Sequence, residues 1–434
     1  MPAAVERGRA YLGEVPRAEL RSVAAAMALT AAIVVAYIAL IRPDGLPGDQ
    51  GEYHSEGIFF TQGKLWWSTL PFGEAHASAW KAPLYPAWVG IIYELLGPSP
   101  TRVELVQALV LAPLSVLLAW LLARHLFGAR VAIWSAFVVA VFPLAWELFG
   151  LLYPEALAIP LTTLLLLLVL NRTPSTGLAL GAGLVLGINL LVRPTSVFLL
   201  AGIAVAWVLA SGWGRGLGLA ALCAAAAALV VLPWTVRNTV LNDGDVIPIS
   251  VQDAAAYGTF NDDAAGDPVY PYAWRPLISE MPAVFEGPPV SDAAVRSGAQ
   301  QAALDYIGEH PFSLAEAFYW NGLSRLWDVR RPARALDEVP FEGRSEAVTG
   351  AGLAMYYALL ALALFALWRQ RHRREVVLPV LAVALAASVV FISASGTRYR
   401  APLEPLIAIL AVAAVAAGPA TAARRTRPAR VAGA

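Results

Sequence analysis

Residues Val348 to Trp368 read VTGAGLAMYYALLALALFALW, a run without one charged side chain. At 1.5 Å per helical residue, a block of this length crosses a hydrocarbon core of about 30 Å. Comparable charge-free blocks lie at Val23–Ile41, Leu217–Val236 and Val376–Ser395. No soluble fold needs such blocks repeatedly, so the chain reads as an all-α integral membrane protein.

Composition agrees. Hydrophobic residues make up 58% of the 434 positions and charged residues 14%, against about 25% charged in an ordinary soluble domain. The formal net charge is zero, which gives no sign of a nucleic-acid partner. The single cysteine, Cys223, lies inside an apolar block and forms no internal disulfide. About twenty polar and basic residues precede the first block and no small-residue cleavage site follows it, so no cleavable signal peptide is expected.

Ten spans are expected, centred near Ile33, Pro113, Val138, Thr163, Gly183, Ile203, Ala226, Leu360, Leu385 and Ala411. Arginines mark alternate loops: Arg7, Arg9, Arg17 and Arg21; Arg124 and Arg130; Arg172; Arg215; Arg369, Arg371, Arg373 and Arg374; then Arg424, Arg425, Arg427 and Arg430. Cytoplasmic loops collect such residues, so both termini are expected inside. The division that follows is a cytoplasmic N-terminal segment (1–21), a first span (22–41), an outer catalytic loop (42–102), spans two to seven (103–237), an outer loop region (238–347), spans eight to ten (348–420) and a cytoplasmic tail (421–434). The second outer segment is acidic from Asn261 to Asp267 and proline-rich from Pro268 to Pro289. Helical patterns then start at Ser291 and, after His310-Pro311, run from Phe312 to Trp327 as an amphipathic helix suited to the membrane surface. The alanine- and arginine-rich composition, with lysine only at positions 64 and 81, points to a GC-rich bacterial genome and hence a bacterial plasma membrane.

The first outer segment runs Gly48-Asp49-Gln50-Gly51-Glu52-Tyr53-His54-Ser55-Glu56. Helical spacing puts Asp49, Glu52 and Glu56 on one face. Two readings of Asp49 stand: a helix cap, or a general base at the membrane surface. Lys81 precedes Pro83 and Pro86, a stiff return into the membrane; a lysine there either snorkels or meets a phosphate. Trp66, Trp67, Trp80 and Trp88 suit an interface. Glu155, after Tyr153-Pro154 and one span-end from Glu147, is either a helix N-terminal acid or a site carboxylate. Arg237, Arg398 and Arg400 stand at outer span ends, where they snorkel or grip a phosphate bidentately. No zinc spacing, Gly-rich phosphate loop or nucleophile elbow is present, which argues against a soluble nucleotide-sugar domain.

These stretches together resemble a known family. Asp49 with Tyr53, Lys81-Ala82-Pro83-Leu84-Tyr85-Pro86, Tyr153-Pro154-Glu155, Pro233-Trp234-Thr235-Val236-Arg237-Asn238, the run Ala303 to Pro311 and Arg398-Tyr399-Arg400-Ala401-Pro402 are similar to protein mannosyltransferases and lipid A aminoarabinose transferases. Gln50 stands where that family often has a second acidic residue. The resemblance implies the multi-helix C-type glycosyltransferase (GT-C) fold, a polyprenyl-phosphate sugar donor and an active site outside the membrane. It implies Asp49 and Glu155 as catalytic carboxylates, Lys81, Arg237, Arg398 and Arg400 as donor-phosphate contacts, and Glu52, Tyr53 and Tyr85 as substrate contacts.

The expected partners are that donor, membrane lipids and an acceptor that is protein, lipid or cell-wall glycan. A divalent cation near Asp49, Glu52 and Glu155 and metal-free chemistry both stay open. The rival function is a carrier or flippase for a lipid-linked envelope precursor, which internal repeats and midplane charges would favour; no clear repeat is visible. A non-catalytic envelope scaffold would leave the outer charges unexplained.

Overall fold

The computed structural model describes residues 15–70, 73–170, 174–276, 291–329, 332–394 and 396–416. Arg7, Arg9, Arg172, most of the proline-rich stretch and the expected tail with its four arginines lie outside the described residues.

The chain starts with α1 (Arg17–Leu40), α2 (Asp49–Thr61), a short antiparallel hairpin of β1 (Trp67–Ser68) and β2 (His76–Ala77), and α3 (Leu84–Leu96). It continues through α4 (Pro100–Phe127), then α5 (Ala129–Val141) bent by 76° into α6 (Pro143–Gly150). Next come α7 (Glu155–Val169), α8 (Thr176–Val192), α9 (Pro194–Ser211) and α10 (Trp213–Leu241). The second outer segment supplies α11 (Asp292–Glu309) and α12 (residues 313–325), broken at His310 as expected. The chain returns through α13 (Glu346–Arg369), α14 (Arg374–Val390) and α15 (Thr397–Ala416).

Each expected span centre falls in one of these helices. Among the described residues, six helices are long and apolar enough to cross a membrane by length and composition, or seven if α5 and α6 form one bent span. The helices α7 and α8 have 15 and 17 residues, so a count of ten spans is not established. The 13-residue α3 is an apolar helix that the sequence reading did not separate from the outer loop.

The helices are arranged by burial around α15, whose apolar window is 83% buried, against 28% for α1 and 33% for α10 and α13. The outer helices turn Leu229, Leu364 and Leu385 outward, which hydrocarbon tolerates and water does not. Close approach of α8 to α10 depends on Gly183, where a Cβ would lie 2.4 Å from the Cys223 carbonyl oxygen. At one end of the bundle Arg124 Nε meets Glu19 at 3.0 Å, Arg373 Nη2 donates to the Leu126 carbonyl at 3.2 Å, and Arg369 donates to the Ala414 carbonyl at 3.0 Å. The arginine-bearing loops therefore gather at one end, and the acidic and basic residues of the outer segments at the other.

Candidate active site

The site starts at Gly48, the residue before α2. Its φ is +58°, and a Cβ there would stand 2.9 Å from the Phe341 carbonyl oxygen, so only glycine allows the chain to turn at that contact. The turn makes Asp49 the first residue of α2, and no side chain caps the helix. The carboxylate of Asp49 is instead held between two cations. Lys81 Nζ lies 3.3 Å from one oxygen and Arg398 Nη2 lies 2.7 Å from the other. Glu52, one turn along α2, also pairs with Lys81, whose ammonium lies 4.3 Å from the Tyr53 ring centroid.

Lys81 does not snorkel. Its side chain is 2% exposed, whereas Asp49 keeps 29% of its side chain open. Burial alone would raise the Asp49 carboxyl, but Lys81 and Arg398 outweigh it and hold it well below the usual carboxylate range. Farther along α2, burial pushes Glu56 up to about 8 against the pull of Lys81.

Arg398 comes from the start of α15 and is fixed on several sides. Its Nε faces Glu342 at 3.2 Å, and its guanidinium lies 4.6 Å from the Tyr153 ring and 5.0 Å from the Tyr399 ring. Tyr399 also lies against Arg193, 4.6 Å from its ring centroid, and Arg193 pairs with Glu155. Tyr399 thus links the Asp49–Arg398 pair to the Glu155–Arg193 pair. Gln50 locks the loops beneath: it donates to the Glu342 carbonyl at 2.9 Å and accepts from the Leu152 amide at 3.2 Å. Tyr153 donates to the same Glu342 carbonyl at 2.9 Å.

Tyr53 and Tyr85 pack edge to face, 4.8 Å apart. Tyr85 is fully buried and donates to Gln107, 3.0 Å away in a widened π-helical turn of α4. Arg237 supports the same region from α10, donating to the Ser78 carbonyl at 2.7 Å and lying over Trp234 at 4.7 Å. It braces the hairpin that leads to Lys81. Arg400 is elsewhere: fully buried, bonded to Glu404 at 2.6 Å, Asp328 at 2.8 Å and the Leu326 carbonyl at 2.6 Å. The structure brings Asp49, Glu52, Tyr53, Lys81 and Arg398 together, and Arg400 is not among them.

Arg193 and Glu342 were not singled out in the sequence. Arg193 carried a signal, being a cation between two apolar blocks; Glu342 carried none. Among the described residues no group of three His, Cys, Asp or Glu side chains is placed to hold a metal ion. Lys81 lies between Asp49 and Glu52, and Arg193 holds Glu155.

The apolar helical bundle, with its charged cluster at one end, resembles the fold of the C-type, multi-spanning glycosyltransferases. The pattern of the dolichyl-phosphate-mannose-protein mannosyltransferase family matches residues 80–236. The fold is similar to that of the oligosaccharyltransferase AglB from Archaeoglobus fulgidus, in complex with an inhibitory peptide and a dolichol-phosphate: TM-score 0.52 at 17% identity, over 91% of this chain and 50% of that one. The same enzyme tethered to an acceptor peptide gives 0.52 at 16%, over 91% and 49%. ArnT from Cupriavidus metallidurans, bound to undecaprenyl phosphate, gives 0.42 at 15%, over 92% and 77%. The chain spans about half the length of the archaeal enzyme. Among curated proteins none matches it.

Proposed function

We propose that the protein transfers a sugar from a polyprenyl-phosphate donor to an acceptor hydroxyl, with inversion, at the extracytoplasmic face of a bacterial plasma membrane, both termini being cytoplasmic. The observation that carries the reading is the Asp49 carboxylate held between Lys81 and Arg398 while part of it stays open. The archaeal enzyme of similar fold holds a dolichol-phosphate, which fits a lipid-phosphate donor here.

While both cations hold it, Asp49 is ionised but weakly basic. A donor phosphate would draw the hydrogen bonds of Lys81 and Arg398 to itself, and Asp49 would then recover basicity toward a nearby hydroxyl. The acceptor oxygen forms its bond to the anomeric carbon as its proton passes to Asp49. The bond from that carbon to the phosphate oxygen breaks on the opposite face, and the electron pair stays on the phosphate. Lys81 and Arg398 stabilise that charge; Glu155, oriented by Arg193, faces the sugar or the acceptor. General-base help of this kind is typically worth about 10²–10⁴ in rate.

The test is release of free polyprenyl phosphate from a panel of polyprenyl-phosphate sugars by protein in liposomes, with envelope extract as acceptor source. Release by wild type, and loss of it in folded Asp49→Asn, is the expected result. Equal turnover by Asp49→Asn sinks the base assignment. No release with any donor sinks the transferase reading and favours the carrier.

A further inference from the structure

Two residues ahead of Lys81, the hairpin is gripped by a carboxylate from far along the chain. Asp292, the first residue of α11, accepts from the Ala79 amide at 2.6 Å and from the Ser78 hydroxyl at 2.9 Å, both on Oδ2. Its other oxygen faces His76 Nε2 at 3.5 Å. Asp292 and Ala79 stand 213 positions apart. An acid in the first turn of a helix ordinarily serves that helix, but α11 has other partners there. The Ser291 hydroxyl accepts from the Ala294 amide at 3.2 Å, and the Asn242 side chain accepts from the Ala293 amide at 3.1 Å. Asp292 is buried and turns both oxygens to residues 76–79 instead.

The hairpin needs that grip. Each of its strands has two residues, and even a longer isolated hairpin is marginally stable. The backbone between Ser78 and Trp80 is held from several elements at once. The Ser78 amide donates to the Trp66 carbonyl at 3.0 Å, Arg237 donates to the Ser78 carbonyl at 2.7 Å, and the Val251 amide donates to the Ala79 carbonyl at 3.0 Å. The Trp80 amide donates to the Ser78 hydroxyl oxygen at 2.9 Å. Ala79 is fully buried in a cluster with Ile247, Val251, Ala293 and Ala299. Past Lys81, the Trp66 indole donates to the Pro83 carbonyl at 3.2 Å. The backbone of Lys81 is thus fixed on both sides. A lysine stem is flexible and its ammonium has no directional fork, so where the charge can reach depends on where that backbone stands.

We infer that Asp292 is a positioning residue for Lys81: through Ser78 and Ala79 it holds the lysine backbone where the ammonium serves both the α2 carboxylates and the donor phosphate. The inference rests on the reading of Lys81 as a donor-phosphate contact and adds the residue that sets it. It also couples α11, in the second outer segment, to a cation supplied by the first.

The chain offers an internal control for the test, since lysine occurs only at positions 64 and 81. Lys64 is exposed and Lys81 is buried. Full-length wild type, Asp292→Ala, Asp292→Asn and Ser78→Ala in nanodiscs are treated with an amine-acylating reagent, and the ratio of Lys81 to Lys64 labelling is read by mass spectrometry. Affinity for undecaprenyl phosphate is measured in parallel by native mass spectrometry, and melting temperature is recorded for each variant. Wild-type Lys81 should react at least about tenfold more slowly than Lys64. Asp292→Ala should remove most of that protection and weaken undecaprenyl phosphate about tenfold. Asp292→Asn, which keeps an acceptor for the Ala79 amide, should stay within about threefold of wild type in both readouts. Ser78→Ala removes one of the two bonds to Asp292 and carries the test if Asp292→Ala does not fold. A lower melting temperature with Lys81 still protected would make Asp292 a residue of stability alone and overturn the inference. Exposed Lys81 with unchanged affinity would overturn it too. Failure of wild type itself to bind undecaprenyl phosphate would remove the donor reading, while the labelling ratio would still decide whether Asp292 holds Lys81.

Discussion

Asp49 and Arg398 stand 349 positions apart in the chain and meet at 2.7 Å. The contact joins the first turn of α2 to the first residues of α15, so it closes the site only when the first and last parts of the chain are packed. Arg398 also faces Glu342 through Nε, and one planar fork therefore sets two carboxylates.

Lysine cannot reproduce that fork. Arg398→Lys should fold and lose about 10–100-fold in kcat, with a smaller rise in donor KM. Arg398→Gln should lose more. Steady-state release of polyprenyl phosphate measures both, and a lysine variant at wild-type rate would show that the fork geometry is idle.

Gly48→Ala forces a side chain into a positive φ against the Phe341 carbonyl. The expected cost is about 1–3 kcal/mol, with a loss of turnover because the start of α2 shifts. Thermal unfolding in detergent checks the first effect and donor release the second.

Glu56 gives a pH-dependent signature. Burial raises its carboxyl in the folded protein from 4.5 to about 8, so the folded state holds a proton that the unfolded chain releases earlier. Its stability contribution is complete below about pH 4.5 and is lost as pH rises through about 8. Glu56→Gln, which mimics the protonated form, should abolish that loss. Melting curves of the two proteins should therefore separate between these pH values, with the wild type lower by about 1 °C for each kcal/mol lost. Parallel curves would refute the assignment.

Arg344 is fully surrounded: it contacts Glu147 at 3.1 Å and Glu342 at 3.1 Å, and Glu147 also accepts from Thr349 at 2.9 Å. Arg344→Met leaves Glu147 charged and buried, at an expected cost of about 3–5 kcal/mol. Adding Glu147→Met should recover much of it. A double-mutant cycle on thermal stability measures the coupling.

Arg400 is held inside the fold by its own partners. Its guanidinium is occupied by Glu404, Asp328 and a carbonyl. Arg400→Lys should lower the melting temperature and leave donor KM within about twofold in the protein that folds. A large rise in donor KM without loss of stability would restore it to the donor site.

The sequence by itself determined the solvent of this protein. Charge-free blocks such as Val348–Trp368 have no stable place but hydrocarbon, and the backbone inside them must be helical because nothing there satisfies an open hydrogen bond. It also placed Asp49, Glu52 and Tyr53 within one helical turn, where proximity in the chain gives proximity in space. What only the tertiary structure decided is which distant charges pair. Arg398 and Arg400 differ by two positions and look alike in sequence, yet helical turning sends one to Asp49 and the other into a buried set with Glu404 and Asp328. Glu342, a carboxylate in an unremarkable loop, becomes a partner of Arg398 and Arg344 for the same reason. Charge type and depth are local properties, but the partner of a charge depends on the packing of helices hundreds of residues apart.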